Sequence, residues 1–111
     1  MMKEKLKIPE ENIEIKKRIL GFRNEFSTIE AIEYRSLAVW YGNLIPKYLW
    51  KNWKDELKKE GWTWQKFLKL LKYLTNYAVN YVEGEISWED FIKKVLKDLN
   101  GELGEAIKKG R

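Results

Sequence analysis

The chain contains no cysteine and no histidine. The first absence excludes disulfides, zinc–thiolate sites and cysteine nucleophiles. The second removes the commonest general base and the commonest metal ligand together. Ser27, Ser36 and Ser87 therefore have no imidazole to activate them, and none of them begins a Ser-x-x-Lys pair. A di-metal site in a helical bundle calls for Glu-x-x-His, which cannot occur here. The glycines stand singly, so no phosphate-cradling loop is present. Glu30 with Glu33, and Glu83 with Glu85 and Glu89, are the carboxylate groupings, and solvated surface is their simplest reading. The expectation is a protein that is not an enzyme and holds no cofactor or metal.

Long apolar runs are missing as well. The longest spans residues 37–41, far short of the ~20 residues that cross a bilayer. Residues 1–7 are basic but lack the apolar stretch of a signal peptide. These features predict a cytoplasmic protein with no integral membrane association. Gln65 is the sole glutamine, while Lys and Glu abound, a balance similar to that of hyperthermophile proteins.

What is present is helical punctuation. Only two prolines occur, and Gly21, Gly42, Gly61, Gly84 and Gly101 each follow an amphipathic segment, where a left-handed helix end favours glycine. The segments between them predict an all-α, compact bundle of five helices in a single domain, residues 1–111. Residues 102–111 form either a sixth short helix or a frayed end, and residues 1–8 fray. The first helix is expected over residues 9–20, opening on Pro9, with Ile8, Ile15, Ile19 and Phe22 inward. The second opens at Ser27 with the capping box Ser27-Thr28-Ile29-Glu30 and reaches Tyr41; Arg35 on it needs a partner such as Glu30 or an exit to water. The third starts at Pro46 and turns Leu49, Trp50, Trp53 and Leu57 inward.

The organising element is the fourth helix, expected as one uninterrupted rod over residues 63–83, because no Pro or Gly falls inside it. Trp64, Phe67, Leu68, Leu70, Leu71, Leu74, Ala78, Val79, Tyr81 and Val82 form a stripe wide enough to touch several neighbours. The fifth helix, from Ser87, echoes its start: Thr63-Trp64-Gln65-Lys66-Phe67-Leu68 matches Ser87-Trp88-Glu89-Asp90-Phe91-Ile92. Each copy has a hydroxyl cap and an apolar pair across it, Trp62 with Phe67 and Ile86 with Phe91. The shared physics of starting a packed helix explains the echo without a shared function. Trp62, in a turn, is either such a staple or an exposed stacking platform.

The formal net charge is +5, and the surplus is local. Between Lys47 and Lys72 eight lysines face only Asp55, Glu56 and Glu60, which leaves the rest of the chain neutral. Lys47, Lys51, Lys54 and Lys58 fall within about 60° of one another on the third helix. The polar face of the fourth carries Lys66, Lys69, Tyr73, Asn76, Tyr77 and Asn80. Lysine neutralises phosphate, asparagine reads base edges and tyrosine stacks on bases. These ten residues are the candidate site of a small basic nucleic-acid-binding protein, DNA before RNA, with helices three and four lying antiparallel. The competing reading is a protein–protein module: a homo-oligomer, a helical subunit of a larger complex, or a coat or scaffold protein. Attachment to a membrane surface comes third.

Overall fold

Asn12 opens the first helix: its side-chain oxygen accepts the Ile15 amide at 3.2 Å, and α1 runs Ile13–Arg23. The computed structural model describes residues 6–25 and 38–110. After a 3₁₀ turn at Tyr41–Asn43 come α2 (Leu44–Lys59), α3 (Trp64–Tyr73), α4 (Thr75–Val82), α5 (Trp88–Leu99) and α6 (Glu102–Lys108). The described residues contain no strand, and the all-α bundle expected from the sequence is the fold. The expected second helix, with its capping box, Arg35, Glu30 and Glu33, lies outside the described residues apart from its last few positions.

Several boundaries differ from expectation, each for a physical reason. The first helix starts four residues after Pro9 because the preceding backbone is held extended by aromatic donors. Trp53 Nε1 donates to the Lys7 carbonyl at 2.8 Å, Trp88 Nε1 to that of Pro9 at 2.6 Å and Tyr48 Oη to that of Glu10 at 2.7 Å. Tyr81 Oη completes the series by donating to Glu11 Oε2 at 2.5 Å. Residues 6–12 thus form a strap across the bundle, with Leu6 buried under it and Ile8 exposed. Gly21 ends nothing; it sits inside α1, which closes two residues later. Helix α2 begins at Leu44, so Pro46 occupies its first turn, where its missing N–H would have had no partner anyway.

The largest correction concerns the expected six-turn rod. It breaks at Leu74 (φ −101°, ψ 23°), whose amide bonds to the Leu71 carbonyl, three residues back, in place of the four-residue step of an α-helix. The Thr75 hydroxyl donates to the Lys72 carbonyl at 2.6 Å and accepts from Trp40 Nε1 at 3.1 Å. A local hydroxyl thus holds a carbonyl near the kink, and an indole 35 residues away engages that hydroxyl.

The caps expected at α3 and α5 are present. Thr63 Oγ1 accepts the Lys66 amide and Ser87 Oγ that of Asp90, at 3.2 Å and 3.0 Å. Gly61 (φ 94°) and Gly84 (φ 85°) take the left-handed conformation expected of them; Gly101 does not. The C-terminal segment takes its helical alternative. Gly104 lies buried in α6, and a Cβ there would overlap the Leu99 and Asp98 carbonyl oxygens, so glycine lets α6 seat against the end of α5.

The core is one cluster running from Leu6 and Ile19 through Leu49, Trp53, Phe67, Leu71, Tyr81, Phe91 and Val95 to Ile107. No charged residue is buried among the described residues. Helix α3 packs between α2 and α6; α6 rests on α5, α5 on α4, and α4 on α1. No described helix is long and apolar enough to cross a membrane.

Candidate nucleic-acid interface

Helix α3 packs against α2, and aromatic rings make the seam. Trp50 meets Trp64 edge-on, with centroids 6.0 Å apart, and Phe67 at 5.5 Å; Trp53 meets Phe67 at 6.3 Å. Trp50 and Trp64 are half-buried, so their outer edges reach the surface along this seam.

The contacts orient both helices. On α2, Lys54, Lys47, Lys58 and Lys51 follow Trp50 outward at roughly 40°, 60°, 80° and 100° around the helix. Asp55 and Glu56 lie more than about 120° from Trp50. All four lysines are exposed. On α3, Leu68, Lys72, Gln65, Lys69 and Tyr73 follow Trp64 in order, from roughly 40° to 180°. The lysine stripe of α2 and, on α3, Leu68, Lys72 and Gln65 thus lie within about 100° of the Trp50–Trp64 contact, whereas Tyr73 lies on the opposite side of α3.

The remaining candidate residues are dispersed. Lys66 lies on the far side of α3, where its Nζ donates to the Lys108 carbonyl at 2.7 Å and satisfies the negative end of α6. Beyond the kink, Asn76, Tyr77 and Asn80 belong to α4 and form a separate facet. The Tyr77 ring lies under Lys94 Nζ at 5.0 Å, and Lys94 pairs with Asp98 at 3.3 Å. Among the described residues, the ion pairs join Arg23 to Glu83, Lys93 to Glu89, Lys94 to Asp98 and Lys108 to Glu105. None involves Lys47, Lys51, Lys54, Lys58 or Lys72. Lys93 and Lys94 on α5 and Lys108 on α6 each have a carboxylate neighbour.

Trp62 is not an exposed platform: it is 2 % exposed. Two features were missed in the sequence. Lys72 and Gln65 face outward beside Lys69, and the shared i, i+4, i+7 spacing of Gln65, Lys69 and Lys72 was the available signal. The other is an open groove of about 410 Å³ over α3, lined among the described residues by Gln65, Leu68, Lys69, Lys72 and Tyr73. Leu68 reads as core from its periodicity but is only half-buried. No group of three or more acidic side chains converges as a metal site among the described residues.

No protein-family model matches the chain, and no curated protein or solved structure is significantly similar to it.

Proposed function

We propose that this is a non-enzymatic nucleic-acid-binding protein, with DNA the preferred partner, which grips phosphates along the α2–α3 seam. One observation carries the reading. Among the described residues, Lys47, Lys51, Lys54, Lys58 and Lys72 border a half-buried tryptophan pair and make no ion pair, whereas Lys93, Lys94 and Lys108 each pair with a carboxylate. Unneutralised ammonium groups side by side repel one another, and a polyanion relieves that repulsion while releasing its condensed counterions.

The test is salt dependence. Affinity for a short duplex should fall with a log–log slope of about 0.9 per phosphate neutralised. Replacing Lys54 and Lys72 together with Ala, one from each side of the seam, should lower that slope by about two. The comparison pair is Lys93 with Lys97 on α5, away from the seam. Equal losses from both pairs would mean diffuse attraction to a basic protein, and the proposed interface would be wrong.

A further inference from the structure

Tyrosines in this fold have recognisable jobs, with one exception. Tyr41 stacks on Phe22 at 4.4 Å, Tyr48 and Tyr81 bond to the strap, and Tyr77 lies under Lys94. Tyr73 alone among the described tyrosines has no hydrogen bond, ring contact or cation over its ring, and it is 63 % exposed. An aromatic ring left so far in water gains nothing from burial, so packing does not account for it.

Tyr73 stands at one edge of the open α3 groove. The groove is open rather than enclosed, so a flat group can reach it from solvent. The groove's lining joins an apolar floor at Leu68, the Tyr73 ring, the Gln65 amide with its donor and acceptor, and the Lys72 ammonium. An apolar floor beside a stacking ring accepts a flat base of any kind; the lysine accepts the phosphate attached to it. A duplex cannot use such a groove without unstacking, because its bases are already stacked and paired.

We infer that the α3 groove is a nucleobase subsite: a base from a single-stranded segment lies over Leu68 and stacks on Tyr73, with Lys72 on the adjoining phosphate. This rests on the nucleic-acid reading above and sharpens it, from charge attraction that any nucleic acid satisfies to a preference for unpaired strands.

The experiment compares fluorescence anisotropy titrations of the full chain with a labelled single-stranded oligonucleotide, the same strand with one abasic position, and the duplex. Tyr73→Ala should weaken single-strand binding about 5- to 150-fold, the range that loss of one base–aromatic stack produces. Tyr73→Phe should restore most of it. Duplex affinity and the salt slope should not move. Placing the abasic position along the strand should find a register at which the intact protein binds as weakly as Tyr73→Ala, with no further loss when the two are combined. If Tyr73→Ala leaves single-strand affinity unchanged, or lowers duplex affinity equally, while binding stays salt-dependent, the subsite is refuted and the phosphate-gripping seam survives. If the intact protein binds neither strand form, the functional reading fails and takes the subsite with it.

Discussion

Replacing Tyr81 with Phe tests how the strap is held, because it removes one oxygen and keeps the ring. That ring is 2 % exposed, stacks on Phe91 at 5.7 Å with planes 9° apart, leans on Trp88 at 5.3 Å and carries Lys16 Nζ above it at 4.8 Å. Phe preserves all of these contacts. What disappears is the hydrogen bond to Glu11 Oε2, a bond to a charged acceptor worth about 1.5–3 kcal/mol. Glu11 is exposed and recovers water, so the lower end applies and a loss of about 1.5 kcal/mol is expected at neutral pH.

The pH dependence is more diagnostic. Burial, then the hydrogen bond to Glu11 and its negative charge, push the Tyr81 hydroxyl far above its ordinary value of about 10. The folded state therefore keeps this proton where the unfolded chain has lost it. Stability from this group is complete below about pH 10 and declines above it, by about 1.4 kcal/mol per pH unit, until the folded hydroxyl itself ionises. In Tyr81→Phe this loss is absent. Urea unfolding followed by tryptophan fluorescence should show the gap between the two proteins closing near about pH 11. A gap that stays constant from neutral pH to pH 11 would refute the account of a buried, carboxylate-bound hydroxyl.

The remaining predictions concern the elements that set the fold. Gly104→Ala should cost about 1–3 kcal/mol in thermal or urea unfolding, since its Cβ has no space against the α5 carbonyls. Gly21→Ala should instead stabilise by about 0.5–1 kcal/mol, because Gly21 lies inside α1 with nothing within 4 Å of a new Cβ. Equal signs for the two glycines would overturn the placement of α6. Thr75→Val should cost about 1–3 kcal/mol by leaving the indole N–H of the buried Trp40 without its acceptor; combined with Trp40→Phe it should cost less than the two losses added. Strict additivity would mean that the bond contributes nothing to the kink.

Local chemistry alone determined most of the helices and their inward faces. Ser87 and Thr63 cap because a hydroxyl before an amphipathic run meets the orphan amides of the first turn, wherever that run later packs. Leu49, Trp53, Phe67, Leu71, Phe91 and Val95 are buried because a 3.6-residue period already puts them on one side. The lysine stripe on α2 is legible for the same reason. The kink at Leu74, the strap, and the division of the candidate face were not legible, and they share a cause. Each depends on a polar atom meeting a partner far along the chain: Trp40 with Thr75, Trp53 with Lys7, Trp88 with Pro9 and Lys66 with Lys108. In three of these four the acceptor is a backbone carbonyl, which every residue carries and no residue type announces. Periodicity fixes which way a side chain points from its own helix. Which carbonyl lies in front of it is decided only when the helices are stacked.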